Sequence, residues 1–258
     1  MIAPKLVPEK FRKWNIEHGA PFGKHLLLKQ FMPRGLYQKL GGPFALQPNN
    51  TTREFEYPWA FYAAPINAGL RALEIGGGLS GFQFVLDGCG CRVVNVDPGL
   101  EAKGKGWSCD PSAMAKLNRL FGTAVELRNT TIGNADLEPQ SFDRVFSISV
   151  VEHLLDEEIK EAMSIAFSCL KPGGYFIATI DLYLNAAPFT SRRANEYGKN
   201  IDVKNMIEQA PFELVQGNRN ELYGYPEFDP DRVQSNLENY FIGAYPALTQ
   251  CIVLQRPR

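Results

Sequence analysis

From residue 71 onward, short apolar runs alternate with longer segments that have a helical period. The runs have the length of strands and lie at residues 71–75, 91–97, 124–129, 142–150 and 174–180. Strands that alternate with helices are typical of a parallel sheet covered on both faces. The pattern therefore predicts an α/β fold.

Two of the connecting segments carry residues typical of helix ends. Asp110 and Pro111 suit the N-cap and the first position of a helix, and Gly122 suits its end. The other helix begins in the acidic turn 156–158, and the Lys-Pro-Gly sequence at 171–173 predicts its end. Both helices therefore have predicted bounds.

The two ends of the chain lack this alternation. Residues 1–68 are rich in proline, glycine and aromatic residues, and we interpret them as a helical and loop-rich cap on a catalytic domain at 69–258. Residues 185–200 combine turn-forming and charged residues without a period, which is typical of a loop over a site. The remaining tail predicts one more helix and two more strands.

Composition excludes several classes of protein. The 27 Lys and Arg residues nearly balance the 28 Asp and Glu residues, so the overall charge does not favour nucleic acid or an anionic membrane surface. Five cysteines without a C-x-x-C pair argue against a disulfide framework or a four-cysteine zinc site. No stretch reaches the roughly 20 apolar residues of a membrane span. We expect a soluble, cytoplasmic protein.

Residues 72–82, ALEIGGGLSGF, carry the strongest chemical signal. An apolar strand leads into Gly76, Gly78 and Gly81, which fit G-x-G-x-x-G. Such a turn brings backbone N–H groups close to a nucleotide-like ligand. The pattern alone leaves a nicotinamide cofactor and other adenosine-containing cofactors open.

Two carboxylates bear on the choice of cofactor. Glu74 stands where a nicotinamide site has an apolar residue, and a buried carboxylate needs a donor or a cation, which a sulfonium cofactor with an α-ammonium group supplies. Asp97 ends the second strand, where it can accept hydrogen bonds from both ribose hydroxyls. Without a ligand, Glu74 would cap backbone N–H groups and Asp97 would form a turn with Pro98.

Four motifs in this order resemble the class I S-adenosylmethionine-dependent methyltransferases. LEIGGGLSG resembles the first motif of that family, VVNVD its acidic second strand, SFDRVFSISVVEHL its fourth strand and following turn, and CLKPGGYFIATI its fifth strand. The resemblance implies a Rossmann-like, mainly parallel seven-stranded sheet with helices on both faces and an antiparallel terminal strand. It implies S-adenosyl-L-methionine, not a nicotinamide, as the cofactor.

The resemblance also assigns contacts to the methionine and ribose parts of the cofactor. Gly76, Gly77 and Gly78 would approach the amino-acid part with their backbone. Glu74 would orient that end, and Asp97 would bind the ribose. These five residues form the expected centre of the cofactor site.

Three further residues are candidates for the cofactor. Asn134 stands where many family members have Asp, and its carbonyl oxygen could accept a hydrogen bond from the adenine amino group. Ser149, at the end of the fourth strand, would lie beside the methionine part. Tyr57 belongs to an aromatic segment that either packs in the core or folds across the cofactor.

Methyl transfer from a sulfonium is an in-line displacement, for which the protein supplies alignment, exclusion of water and a base. His153 is the candidate base for a hydroxyl acceptor; alternatively, Glu152 and His153 pack or cap the next helix. Asp181 and Tyr183, after the fifth strand, are the other candidate catalytic residues. No metal is expected, because Ser149 stands where a further carboxylate ligand would be needed.

The function we expect is O-methylation of a small metabolite, sugar or glycan precursor by direct displacement. An NAD(P)-dependent oxidoreductase and a non-catalytic adenosyl-ligand-binding protein are the alternatives. SVVEH replaces the Asn/Asp-Pro-Pro-aromatic run of nucleic-acid amino methyltransferases, so no nucleic-acid partner is expected. The aromatic-rich cap could cover the site or pair two subunits in a homodimer.

Overall fold

The computed structural model describes residues 1–25, 31–45, 49–99 and 109–258. By its internal contacts the chain divides into two compact units, one of residues 8–135 and one of residues 1–7 with 136–258. This division does not coincide with the predicted boundary after residue 68. A cap at 1–68 and a catalytic domain at 69–258 stay a prediction.

Helices and strands alternate along the described part of the chain. The helices are α1 (Glu9–His18), α2 (Arg34–Gly41), α3 (Arg53–Tyr62), α4 (Gly81–Gly88), α5 (Pro111–Phe121), α6 (Asp156–Cys169), α7 (Val203–Ile207) and α8 (Pro230–Ser235). The strands are β1 (Arg71–Ile75), β2 (Arg92–Val96), β3 (Glu126–Arg128), β4 (Phe142–Ile148), β5 (Leu170–Tyr183), β6 (Glu213–Gln216) and β7 (Ala247–Gln255).

The seven strands form one sheet in the order β3-β2-β1-β4-β5-β7-β6. β1 is parallel to β2, β2 to β3, and β4 to β5. β7 is antiparallel to both β5 and β6. The predicted fold class, a mainly parallel Rossmann-like sheet with an antiparallel terminal strand, is confirmed.

The inner strands are buried along most of their length, which explains why they appear in the sequence as nearly continuous apolar runs. In β1, the four residues from Ala72 to Ile75 are buried. In β5, every residue from Phe176 to Tyr183 is buried. Glu74 and Asp181 are therefore carboxylates within otherwise apolar strands.

The predicted ends of α5 are confirmed. The Asp110 side chain accepts a hydrogen bond from the backbone N–H of Ala113, at 2.9 Å, and thus caps the first turn. Gly122 follows the last helical residue in the left-handed conformation, with φ of 68°. Because a residue without a Cβ adopts this conformation without strain, glycine ends the helix here.

α6 ends within two residues of the predicted Lys-Pro-Gly stop, but β5 begins earlier than predicted. The helix ends at Cys169, and β5 begins at Leu170, so residues 171–173 lie in the strand. The strand begins this early because Leu170 pairs with Phe142 of β4. Pairing with a neighbouring strand thus sets the start of β5, which local residue preferences place later.

The tail contains the predicted helix and two strands, as α7, β6 and β7. It also contains α8, which the sequence analysis did not predict. Asp229 accepts hydrogen bonds from the backbone of Asp231 and Arg232, and Pro230 occupies the first position of α8. The Asp-Pro pair that starts α8 is the same signal that starts α5.

Aromatic side chains join the helices that precede β1 to one another and to α4. Phe11 of α1 meets Phe55 of α3 with ring centroids 5.3 Å apart. Tyr57 of α3 stacks on Phe82 of α4 at 5.7 Å, with the ring planes 13° apart. Among the described residues, no helix is long and apolar enough to span a bilayer.

Candidate active site

The glycine turn between β1 and α4 needs its glycines for two different reasons. Gly76 and Gly78 have φ of 68° and 54°, a conformation that side chains disfavour. A Cβ on Gly77 would lie 2.7 Å from Cδ of Glu74 and 2.9 Å from Oδ1 of Asn95. The backbone of the turn at Gly77 therefore packs directly against the side chain of Glu74.

Glu74 is a buried carboxylate that is only partly hydrogen-bonded. Oε1 accepts a hydrogen bond from Oγ of Ser80 at 3.0 Å, whereas Oε2 has no hydrogen-bond partner among the described residues. Burial raises the pKa of this carboxyl to about 8. An unpartnered polar atom in such a place is costly, and a donor on a ligand would remove that cost.

Asp97 ties the turn to the end of β2. Its Oδ2 accepts the N–H of Gly78 at 2.7 Å, and its Oδ1 accepts the N–H of Gly99 at 2.6 Å. Burial raises the pKa of Asp97 although both N–H groups lower it. A carboxylate oxygen can accept two hydrogen bonds, so both oxygens retain capacity for ribose hydroxyls. We call Glu74, Gly77, Gly78 and Asp97 the Glu74 cluster.

Tyr57 packs in the core, which is one of the two roles that the sequence left open. It is buried against Phe82, and its hydroxyl donates to Oδ1 of Asn49 at 3.1 Å. Burial raises the pKa of this hydroxyl; Arg53 lowers it, and the Glu74 charge raises it further. Tyr57 is thus a core residue within electrostatic range of Glu74, and cofactor contact stays a prediction.

Asn134 is exposed at the end of a 3-10 turn, Ile132–Asn134. Its Nδ2 donates to Oγ1 of Thr131 at 3.1 Å. Among the described residues, no hydrogen bond joins Asn134 to the Glu74 cluster. Its contact with adenine therefore stays a prediction.

Asp181 is a fully buried carboxylate in the unit that contains residues 136–258. Its Oδ2 accepts the hydroxyl of Tyr245 at 2.5 Å, and its Oδ1 accepts Oγ of Ser149 at 3.3 Å. The backbone N–H of Asp181 donates to Oε1 of Glu152 at 3.3 Å. We call Ser149, Asp181 and Tyr245 the Asp181 cluster.

The backbone of Ser149, in the Asp181 cluster, is strained. Its φ is 47°, which is uncommon for a residue with a Cβ. Its N–H donates to the carbonyl and to Oγ1 of Thr179, at 2.9 and 3.2 Å. Strain of this kind occurs mainly at functional sites, where the surroundings hold it in place.

His153 lies in the 3-10 turn Val151–His153 and is half-buried. Its Nδ1 is 2.6 Å from the carbonyl oxygen of Tyr197. Because a carbonyl only accepts, Nδ1 carries the proton, and in the neutral ring Nε2 is the proton acceptor. In this tautomer Nε2 is the nitrogen that can act as a general base.

Three tyrosine rings gather beside Asp181. Tyr197 and Tyr245 stack at 4.6 Å with the ring planes 21° apart. Tyr183 is fully buried, with its ring 6.1 Å from Tyr245 and 6.5 Å from Tyr197. The sequence analysis named only Tyr183. Tyr245 precedes the last strand without a local motif, so only its contact with a residue 64 positions earlier identifies it.

The structure thus groups the predicted residues in two sets. Glu74, the glycines 76–78, Asp97 and Tyr57 lie together in the unit of residues 8–135. In the other unit Ser149 contacts Asp181, and His153 and Tyr183 both neighbour Tyr197. In the described ranges, no three His, Cys, Asp or Glu side chains gather where they could hold a metal ion.

Known proteins resemble the chain in both sequence and fold. Residues 73–178 match the family model described as "Methyltransferase domain". Two curated proteins, both named "Ubiquinone biosynthesis O-methyltransferase", are similar. The one from Rhizobium etli is 32% identical over 120 residues, which are 46% of this chain and 44% of that protein. The one from Rhizobium johnstonii is 29% identical over 183 residues, 69% of this chain and 64% of that protein.

The chain therefore spans less than half of one curated relative and less than two thirds of the other. Among solved structures, the cyclase SpnF matches all of this chain and 99% of its own, with a TM-score of 0.57 and 12% identity. Several structures titled as methyltransferases match at 13–17% identity. At such identities the likeness shows the fold alone.

The family model covers the glycine turn, the acidic end of β2, the end of β4 and most of β5. These are the segments whose motifs pointed to the same family from the sequence, and the strand order supports the fold that the resemblance implied. In the sequence of residues 73–178 and in its fold, the chain thus resembles the class I S-adenosylmethionine-dependent methyltransferases.

Proposed function

We propose that this chain transfers a methyl group from S-adenosyl-L-methionine to a hydroxyl of a small molecule. The observation that carries the proposal is the half-satisfied carboxylate of Glu74, whose Oε2 lacks a partner among the described residues beside the glycine turn. An α-ammonium group would give that oxygen both a donor and a positive charge. The amino-acid end of the cofactor carries this group.

The same observation disfavours a nicotinamide cofactor. A dinucleotide places its anionic pyrophosphate at a glycine turn. At this turn the buried carboxylate of Glu74 would repel such a group once ionised. Asp97 does not separate the two cofactors, because both contain an adenosine ribose.

The Glu74 cluster supplies the groups that would hold the cofactor. Glu74 would bind the ammonium group, the backbone of Gly77 and Gly78 would lie against the amino-acid part, and Asp97 would accept the ribose hydroxyls. When bound, S-adenosyl-L-methionine would supply a methyl group on a sulfonium. The acceptor oxygen would bond to the methyl carbon, and S-adenosylhomocysteine would be the leaving group. The protein itself need not form a covalent bond.

His153 would remove the proton of the acceptor hydroxyl. The carbonyl of Tyr197 fixes the proton of the ring on Nδ1, so Nε2 is the acceptor. Asp181 accepts hydrogen bonds from two hydroxyl groups and thereby orients Ser149 and Tyr245. The name of the curated relatives supports oxygen as the acceptor. A sugar or glycan precursor, a homodimer and a cytoplasmic location stay predictions.

Calorimetric titration with S-adenosyl-L-methionine, S-adenosylhomocysteine and NADH tests the cofactor without a known acceptor. We expect both sulfur ligands to bind and NADH not to bind. The Glu74→Ala variant should lose affinity for both ligands, and the Asp87→Ala variant serves as a carboxylate control outside the cluster. Binding of NADH alone would contradict the proposal and favour an oxidoreductase.

A screen of hydroxylated acceptors with methyl-labelled cofactor tests the reaction. Label should appear on oxygen, which fragmentation of the product by mass spectrometry can show. Label on nitrogen would contradict the acceptor part of the proposal and leave the cofactor part intact. Cofactor binding without transfer to any acceptor would favour the non-catalytic alternative.

A further inference from the structure

Although the whole chain is nearly neutral, one segment, residues 8–45, is basic. Residues 8–45 contain seven Lys and Arg residues and two Glu residues, a net charge of +5. The rest of the chain contains 20 basic and 26 acidic residues, a net charge of −6. Such an asymmetry indicates an anionic partner for the basic part.

The same segment exposes large apolar side chains. Five of the eleven large apolar residues that are exposed in the described part of the chain lie within it: Ile16, Phe22, Phe31, Leu36 and Leu40. Ile16 and Phe31 are the most exposed of the five, at 78% and 74%. Single exposed apolar residues are ordinary, but a concentration of them marks an interaction surface.

Basic and apolar residues share the outward faces of the two helices. On α1, Ile16 lies one turn after the exposed Arg12 and after Lys13, which also pairs with Glu9 at 2.8 Å. On α2, Leu36 and Leu40 are four residues apart, and the exposed Lys39 lies between them in sequence. Residues at such spacings are neighbours on a helix surface. Each helix therefore offers cations and aliphatic groups together.

The two helices are joined at their carboxyl ends. The backbone N–H of Lys24, shortly after α1, donates to the carbonyl of Gly41 at the end of α2, at 2.7 Å. A Cβ on Gly42 would lie 3.2 Å from the carbonyl oxygen of His18. Ile16 and Leu40 thus stand near a common junction. We call the exposed side chains of the described residues 8–25 and 31–45 the basic cap surface.

We propose that the basic cap surface docks on an anionic lipid bilayer. Lys and Arg side chains would meet lipid phosphates, and Leu, Ile and Phe side chains would enter the interface between headgroups and acyl chains. A second copy fits less well, because a two-fold contact would bring one cationic surface against another. The docking follows from charge and exposure, and it does not depend on methyl transfer.

Sedimentation of the full chain with lipid vesicles tests the docking. The chain should sediment with vesicles of phosphatidylcholine mixed with phosphatidylglycerol and stay in solution with phosphatidylcholine alone. High salt should weaken binding, because exposed charges are screened. Equal binding to both kinds of vesicle, or no binding to either, would overturn the proposal.

Two variants locate the surface. The triple variant Arg12→Gln, Lys13→Gln, Lys39→Gln should bind the anionic vesicles at least about tenfold more weakly, since each basic residue near such a surface contributes to affinity. The double variant Leu36→Gln, Leu40→Gln should also weaken binding, which a purely electrostatic contact would not show. Thermal unfolding of each variant checks that the fold is retained.

Matched controls change exposed residues elsewhere. Lys116→Gln, Arg119→Gln, Lys160→Gln removes three exposed charges, and Val215→Gln, Ile242→Gln removes two exposed apolar groups. Both should bind vesicles as the unchanged chain does. If the controls lose as much affinity as the cap variants, or if the cap variants instead abolish a concentration-dependent dimer, the bilayer is not the partner.

Discussion

The Glu74 cluster and the Asp181 cluster both centre on a buried carboxylate, but the groups that donate hydrogen bonds to their carboxylates differ. In the Glu74 cluster, Asp97 accepts hydrogen bonds from the backbone N–H groups of Gly78 and Gly99, whereas Glu74 accepts one from the hydroxyl of Ser80. Around Asp181 the partners of the carboxylate are the side-chain hydroxyls of Ser149 and Tyr245. Backbone groups therefore hold Asp97, whereas side-chain hydroxyls hold Asp181.

This difference has a practical meaning. A backbone donor cannot be removed by an ordinary substitution, so the Glu74 cluster is disrupted chiefly by adding atoms to its glycines or by changing its carboxylates. The Asp181 cluster and its neighbour His153 can be changed one group at a time without moving the backbone. We therefore expect cofactor affinity and turnover to respond to separate sets of variants.

The largest expected effect is that of His153→Gln on turnover. Loss of a general base lowers the rate by about 100- to 10,000-fold. Affinity for S-adenosylhomocysteine should stay unchanged, because no residue of the Glu74 cluster is altered. Initial rates with an identified acceptor and calorimetry measure the two quantities. His25→Gln, at an exposed position, is the control, and full activity of His153→Gln would end the base hypothesis.

Gly77→Ala should have the opposite profile. The new Cβ would lie 2.7 Å from Cδ of Glu74 and 2.9 Å from Oδ1 of Asn95, so the carboxylate or the turn must move. We expect affinity for S-adenosyl-L-methionine to fall by roughly 100-fold, which corresponds to the upper range of overpacking costs. In Gly88→Ala the Cβ meets no atom within 4 Å. Equal affinities of the two variants would contradict the assigned role of the turn.

Asp97→Asn should weaken cofactor binding less, by about 10- to 100-fold, the value of a hydrogen bond to a charged group. The amide would place an NH₂ against the N–H of Gly78 or Gly99, where the carboxylate now accepts both. Calorimetry with S-adenosylhomocysteine measures the change. Asp110→Asn, which retains an acceptor for the cap of α5, should bind normally, and the proposal for Asp97 fails if both variants bind alike.

Glu74→Gln should have the smallest effect when expressed per pH unit, a change in how stability depends on pH. The pKa of Glu74 rises from 4.5 to about 8 in the folded chain. Between these values the unfolded chain releases a proton that the folded chain keeps, so the free energy of unfolding falls as pH rises, by at most about 1.4 kcal/mol per pH unit.

Urea unfolding of both proteins from pH 5 to pH 8 measures this dependence as a difference, in which unchanged groups largely cancel. The stability of the unchanged chain should fall relative to Glu74→Gln across that range. Parallel curves would show that Glu74 titrates normally. The glutamine also removes the charge that we expect the cofactor to need, so its affinity for the ammonium-bearing ligand should fall.

Local patterns in the sequence predicted the parts of the structure that local interactions determine. The positive φ angles of Gly76 and Gly78 and the cap of α5 at Asp110 depend on residues that are close in the chain. The sheet order followed from the resemblance to a family. Glu74 was identified because a carboxylate in an apolar strand is unusual wherever the strand lies.

Contacts between distant residues determine what was missed. Tyr245 meets Asp181 across 64 residues, and the carbonyl of Tyr197 reaches His153 across 44. The start of β5 directly after α6 depends on Phe142, which pairs with Leu170. No window of sequence contains both members of these pairs, and only packing decides which distant tyrosine meets which carboxylate.

The third glycine of the G-x-G-x-x-G match carries a different consequence. Gly81 does not adopt a positive φ, but a Cβ there would lie 2.5 Å from the ring of Phe44, in the segment before α3. The residue is small so that an aromatic ring from another part of the chain can rest on the first turn of α4. The match to the dinucleotide fingerprint therefore has two unrelated causes. Gly76 and Gly78 allow the positive φ of the turn, and Gly81 leaves room for the ring of Phe44. A homologue with a smaller residue at the position of Phe44 could lose this glycine, and with it the fingerprint, while its cofactor turn stayed the same.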